Sequence, residues 1–239
     1  MDPRTEERLK AALQQWVSVR HEQMVKSQAG GNAQEGSRSA VTGGAHLDGL
    51  NRLVLDEIEA TGAAGLEIRT HRKATLPGFY RPTKAWDLLV LQQGSPVLVV
   101  EYKSMNGSEG RNLNNRADEI FGMAEDLRQA ELNGLLPKNL RRAYVFVMGL
   151  TPESLSPRKS PTAFGGADPL FAGRSYFERA AIMCQRMRDS GLFHMTWAIG
   201  VKEDPLKWHE PLAGVGWERF AADLREAFSG GHPAPPHVP

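Results

Sequence analysis

Residues 86–103 read WDLLVLQQGSPVLVVEYK. Two aliphatic, β-branched runs, 86–92 and 96–103, flank a Gln-Gln-Gly-Ser turn region, the pattern of an antiparallel hairpin. Val97 to Val100 are apolar on both faces, so the second strand is expected to be central and buried. Charge then enters abruptly at its end with Glu101-Tyr102-Lys103. Side chains alternate along a strand, so Glu101 and Lys103 share one face and Tyr102 takes the other. Burying such charges is costly unless they pair or bind something.

The hairpin carries a second acid. Symmetry about Gly94 puts Asp87 directly opposite Glu101, with Cβ atoms about 4.5–5.5 Å apart. That register needs an odd-numbered loop or a bulge. A two-residue Gly94-Ser95 turn would instead set Asp87 against Tyr102. Two carboxylates so close repel, and one takes up a proton unless a cation intervenes. A divalent cation resolves the conflict, and Mg²⁺ favours one or two carboxylates plus water and phosphate oxygens. Asp87 and Glu101 are the candidate ligands, with the backbone carbonyl of Tyr102 as a further one. Lys103 would orient an attacking water or help deprotonate it, which suits metal-assisted hydrolysis of a phosphodiester. The plainer alternative is a structural ion pair between Lys103 and Asp87 or Glu101. Of the 28 acidic residues only Glu101 has a lysine two positions on.

Working outward, Asp2-Pro3 starts a helix over 3–27, with Leu9, Leu13, Trp16, Val17 and Met24 at helical spacing. Residues 28–45 are Gly/Ser-rich and read as a flexible linker. A helix over 46–60 (Leu47, Leu50, Val54, Ile58) is closed by Gly62 and Gly65. A strand is expected at 66–72. After the hairpin comes a helix over 113–133 with Leu113, Ala117, Ile120, Phe121, Ala124 and Leu127 on its apolar face. A strand at 142–150, a long loop at 151–173, a helix at 174–190, a strand at 193–201, a helix at 216–229 and a disordered tail at 230–239 complete the chain. The order αβββαβ makes 46–150 a core of α/β class, a central mixed sheet flanked by helices, inside one domain spanning 1–239, with helical additions at the N-terminus and over 151–229.

Lys and Arg number 29 against 28 Asp and Glu, a net charge of +1, so anion binding must come from local clustering. A single cysteine, Cys184, excludes a disulfide scaffold and a Cys-rich zinc site. MDPRTEERLK has no signal-like apolar stretch and no run is long enough for a membrane span, so a soluble cytoplasmic protein is expected. The seven histidines lack metal-ligand spacing, and His194 reads as packed in a strand. There is no G-x-S-x-G elbow and no phosphate-binding G-x-x-x-x-G-K-[ST] loop.

The residues Asp87…Glu101-x-Lys103 in this element order resemble the PD-(D/E)xK nuclease superfamily. Residues 65–149 (LEIRTHRKATLPGFYRPTKAWDLLVL, VLVVEYKSMNGSEGRNLNNRADEIFG, LRRAYVFVMG) are similar to the XhoI family of type II restriction endonucleases. The superfamily's "PD" pair is Trp86-Asp87 here, without the proline, which is not a metal ligand. The resemblance implies a restriction-endonuclease-like core, Mg²⁺, a homodimer that cuts duplex DNA at CTCGAG leaving a 5′ overhang, and a functionally paired modification methyltransferase. It also raises a further carboxylate from the helix before the sheet. Glu57, at the margin of that helix's apolar face, is the candidate, although an exposed acid is the commoner outcome.

Residues 69–84 hold Arg69, Arg72, Lys73, Arg81 and Lys84 and no acid. They are expected to contact phosphates at the rim of the site, or else to be a solvated basic loop. Residues 104–116 carry Asn106, Arg111, Asn112, Asn114, Asn115 and Arg116. Asn and Arg can read adenine and guanine in the major groove. Alternatively Asn112 caps a helix. Arg158 and Lys159 are the contact candidates in the loop 151–173, and the first helix, with Trp16, is the expected dimer surface. A structure-selective repair nuclease or resolvase, and a non-catalytic DNA-binding module, are the competing functions.

Overall fold

The hairpin register is set by two local devices. Gln93 and Gly94 form the turn, both at positive φ (51° and 80°), which is the type I′ geometry that matches strand twist. Gln92 pairs with Ser95 and Leu91 with Pro96, and then the register shifts, so that Val90 pairs with Leu98 and Leu88 with Val100. The extra residue is Val97, a bulge beside a proline that has no N–H to give the ladder. The bulge restores the symmetry about Gly94: one step beyond the Leu88–Val100 pair, Asp87 stands across from Glu101.

A computed structural model describes residues 1–29 and 45–229. Most of the expected linker, the expected tail, and the side chains of Met24 and Arg111 lie outside the described residues. Helix α1 spans Pro3–Ala29 and α2 spans Asp48–Glu59, after a 3₁₀ turn at Ala45–Leu47. Strand β1 is Leu66–Thr70, β2 is Thr75–Pro77, β3 is Thr83–Ala85, β4 is Leu88–Gln92 and β5 is Ser95–Met105. Helix α3 (Glu109–Leu132) crosses to β6 (Arg141–Gly149). Then come the short α4 (Pro152–Leu155), α5 (Tyr176–Asp189), β7 (Met195–Lys202), β8 (Lys207–His209) and α6 (Trp217–Ser229). The main sheet has six strands in the order β1-β4-β5-β6-β7-β8. Its β5-β6-β7 centre is parallel and its flanks are antiparallel.

Both faces are covered, which is why the central strands read as continuous apolar runs. Leu98, Val100 and Tyr102 face one core with α1, α2 and α6. Val99 and Met105 face the other with α3 and α5. Against the second core lies a separate two-stranded hairpin, β2–β3, carrying Leu76 and running on to Trp86.

Several expectations need correction. The stretch 69–84 is not one loop: β1 ends at Thr70, a 3₁₀ turn occupies His71–Ala74, and β2–β3 follows. Helix α3 begins at Glu109, not 113, with Ser108 at φ 55° before it. Glu109 is buried and accepts bonds from the Gly107 N–H (3.1 Å) and the Thr151 hydroxyl (3.3 Å), partners that lie outside the helix. Asn112 is therefore inside the helix and not its cap. Phe121 lies on the exposed side of α3. The segment 151–173 contains α4 and a 3₁₀ turn at Pro169–Phe171, and β8 adds an edge strand beside β7 that the sequence pattern does not predict. Trp16 is fully buried against α2, so it is a core residue and not an available dimer contact.

His194 is packed. Its Nδ1 accepts the Arg142 N–H at 3.1 Å, and burial together with the Arg142 and Arg141 cations pushes its pKa down to about 4. His46 is likewise held at about 4 by burial and by Arg20. Two outcomes are expected. Trp16→Ala costs about 3–5 kcal/mol in urea unfolding. Because both folded pKa values lie below the unfolded value of about 6.5, the unfolded chain takes up protons first. The stability from these neutral histidines is full above that pH and is lost as pH falls toward 4. Thermal unfolding between pH 7 and 4.5 should show this fall, and His194→Gln should shallow it.

Candidate active site

The end of β5 gathers four charged side chains. Glu101 is 2% exposed and points into the α3 side of the sheet. Lys103 Nζ bonds its Oε1 at 2.6 Å, since two residues along a strand return to the same face. Lys84 Nζ bonds its Oε2 at 3.0 Å and also reaches the Ala85 carbonyl. Lys84 sits 4.7 Å from the Trp86 ring centroid, over its face. Its inward aim follows from register: on β3 it is paired with Leu76, whose side chain is buried, and directly opposed residues share a face. Lys84 was expected at a DNA-facing rim. It is instead mostly buried, because the stretch around it is a hairpin with an inner face.

Asp87 lies just outside β4. Its Oδ2 accepts the Tyr102 N–H at 2.8 Å, continuing the ladder with a side chain where the backbone pairing stops. A strand residue directs its N–H and C=O toward the same neighbour. The Tyr102 carbonyl therefore opens into the gap that holds Asp87. Burial against the surrounding protein and then the nearby Glu101 raise the Asp87 pKa, while the Tyr102 N–H, Lys103 and Lys84 oppose the rise. The residue keeps a solvent-open side. The two acids are thus close enough to feel each other, and the charges that balance them are two lysines.

This donor set suits a hard cation. Asp87 has a carboxylate oxygen beyond the one held by Tyr102, Glu101 is near enough to raise its pKa, and the Tyr102 carbonyl opens on the same side. Mg²⁺ takes few protein oxygens and keeps waters. Among the described residues no group of three or more His, Cys, Asp or Glu is placed to hold a metal ion. The Glu57 carboxylate pairs with Arg225 on α6. The helix instead offers Asp48 and Asn51, one turn apart. With Leu47, Thr70, His71, Asp87 and Tyr102 they line a small recess beside Asp87, and Asn51 accepts the Tyr102 hydroxyl at 3.1 Å. The signal was the i, i+3 spacing of Asp48 and Asn51 at the helix start.

The other cations divide. Arg72 and Lys73 are exposed on the 3₁₀ turn that follows β1, next to His71 in the recess. Arg69 pairs with Glu67 at 2.7 Å. Arg81 bonds the buried Asp126 at 3.0 Å, and that acid also accepts the Phe79 and Tyr80 N–H groups. Asp126 thereby fixes the tip of the β2–β3 hairpin and leaves Arg81 partly committed. Asn112, Asn114, Asn115 and Arg116 occupy the first turns of α3. Asn114 and Asn115 are exposed, and Arg116 pairs with Glu119. Asn106 bonds Glu203 at 3.0 Å. Arg158 lies over the Tyr176 ring, and Lys159 is exposed. No helix among the described residues is long and apolar enough to cross a membrane.

The family model for restriction endonuclease XhoI matches residues 25–205, well over half of the chain. A type II restriction enzyme XhoI of Xanthomonas vasicola is 34% identical over 160 residues, 65% of this chain and 64% of that enzyme. The BstVI enzyme of Geobacillus stearothermophilus is 35% identical over 161 residues (64% and 71%). The AbrI enzyme of Azospirillum brasilense is 45% identical over 98 residues (40% and 44%). The chain thus spans a little under two thirds of the XhoI enzyme it matches. No solved structure matches it. The matched region contains Asp87, Glu101 and Lys103, and the chain belongs to the XhoI restriction endonuclease family.

Proposed function

We propose that this protein is a type II restriction endonuclease, hydrolysing phosphodiester bonds of duplex DNA at a palindromic site with Mg²⁺. The observation that carries the reading is the convergence of Asp87, Glu101 and Lys103 at one end of the central strand, with both acids across the hairpin from each other. The family's relatives, all type II restriction enzymes by name, support it. CTCGAG is the proposed recognition sequence, by family resemblance.

Asp87, Glu101 and the Tyr102 carbonyl would hold the ion, which supplies Lewis-acid activation of water and of the phosphate. Lys103, fixed by Glu101, holds the attacking water in line and stabilises negative charge on the phosphate oxygens. The Tyr102 N–H bond keeps Asp87 turned toward the site. Arg72 and Lys73 seat the backbone of the duplex beside the recess, and Asn112, Asn114, Asn115 and Arg116 on α3 are the proposed base readers. A homodimer follows from the palindrome, since each subunit reads one half-site. A methyltransferase that protects the same sequence is its proposed functional partner, and the cytoplasm its compartment.

Plasmid digestion by the purified chain should give discrete fragments in Mg²⁺, with ends at CTCGAG, and none in EDTA. Lys103→Ala should lower the cleavage rate roughly 100-fold or more while duplex binding persists. Intact DNA in every lane, from folded protein that still shifts duplex, would leave a binding module in place of an enzyme. Arg72→Ala and Lys73→Ala should each weaken binding evenly across sequences and reduce the slope of log affinity against log salt by about one.

A further inference from the structure

Glu101 has both carboxylate oxygens occupied by ammonium groups, Lys103 on Oε1 and Lys84 on Oε2. With Asp87 the four formal charges cancel. A divalent cation cannot share Glu101 with two ammoniums at hydrogen-bonding distance, because like charges that close repel strongly in a site this buried. One lysine must give way.

The two differ in freedom. Lys103 lies on β5 itself, two residues from Glu101, and its backbone is paired with Phe146 of β6. Lys84 comes from the separate β2–β3 hairpin, and among the described residues its side chain also meets the Trp86 face and the Ala85 carbonyl of its own segment. Both ammoniums have a solvent path, with side chains 16% exposed for Lys84 and 23% for Lys103, so it is the separate hairpin that sets Lys84 apart. The same segment carries the exposed cations Arg72 and Lys73 on the turn leading into β2.

We propose that Lys84 is a guard of the metal-binding carboxylate. It occupies Glu101 when no divalent ion is bound, leaves it when the ion enters, and then contacts a backbone phosphate of the duplex. The inference rests on the nuclease reading and adds a residue to it. The ammonium thereby couples loading of the ion to retention of DNA: one positive charge leaves a carboxylate and becomes available to a phosphate. Lys84 neutralises the buried acid in the empty site and does not compete with the ion in the loaded one.

The test is Mg²⁺ binding by titration calorimetry without DNA, on the wild type, Lys84→Met, Lys84→Gln and Asp87→Asn, each checked for folding by thermal unfolding. Duplex binding in Ca²⁺ across a salt series completes it. Removing the competing charge should tighten Mg²⁺ binding by about tenfold or more, the scale of one close ion pair even in a water-like medium. The same variants should bind duplex more weakly in Ca²⁺, with the salt slope reduced by about one. Unchanged or weaker Mg²⁺ affinity in both folded Lys84 variants would overturn the guard, making Lys84 a structural partner of Glu101. An unchanged salt slope would overturn the transfer to phosphate. Failure of the nuclease reading is separable: wild-type protein would then bind no Mg²⁺, or bind it equally well as Asp87→Asn.

Discussion

The register of the β4–β5 hairpin is the constraint on which the site depends. Strand side chains repeat every two residues, so a slip of one exchanges every inward group for an outward one. A tight turn at Gln93-Gly94 alone would place Asp87 opposite Val100. The bulge at Val97 absorbs one residue and brings Asp87 across from Glu101. The Asp87 carboxylate then accepts the Tyr102 N–H, so the acid itself extends the ladder by one bond. Geometry that orients the candidate ligand is thus also geometry that ends the strand pair.

A second constraint follows from burial. A carboxylate as enclosed as Glu101 is tolerable only with close, hydrogen-bonded counter-charges. Lys103 arrives by strand alternation and Lys84 by the inner face of an added hairpin. That hairpin is in turn held by Asp126 of α3, which accepts two N–H groups at its tip and pairs with Arg81. The chain of dependence runs from a helix carboxylate, through a two-stranded hairpin, to the charge state of the central acid. The sheet supplies stiffness: its β5-β6-β7 centre is enclosed by α1, α2 and α6 on one face and α3 and α5 on the other.

Local patterns made much of this legible. The apolar runs at 86–103 and 142–150 mark central strands, and the abrupt charge at Glu101-x-Lys103 marks the end where charged side chains gather. The face shared by Glu101 and Lys103 and the opposite face of Tyr102 follow from alternation alone. The helices around Leu50, Val54 and Ile58 and around Ile120, Ala124 and Leu127 follow from their spacing. The start of α3 was not legible in the same way. Glu109 is stabilised by the Gly107 N–H and by Thr151, a contact that only the folded chain provides.

The sequence by itself therefore determined the α/β class, the central hairpin and the shared face of Glu101 and Lys103, because each rests on a period of two or of about 3.6 residues. Tertiary structure decided which distant side chains complete the site. Glu57 is taken by Arg225, Asp48 and Asn51 face the recess, Lys84 turns inward to Glu101, and Trp16 is consumed by the core. These outcomes depend on how separate elements pack against one another. No local period encodes that, because the partner of each side chain lies elsewhere in the chain.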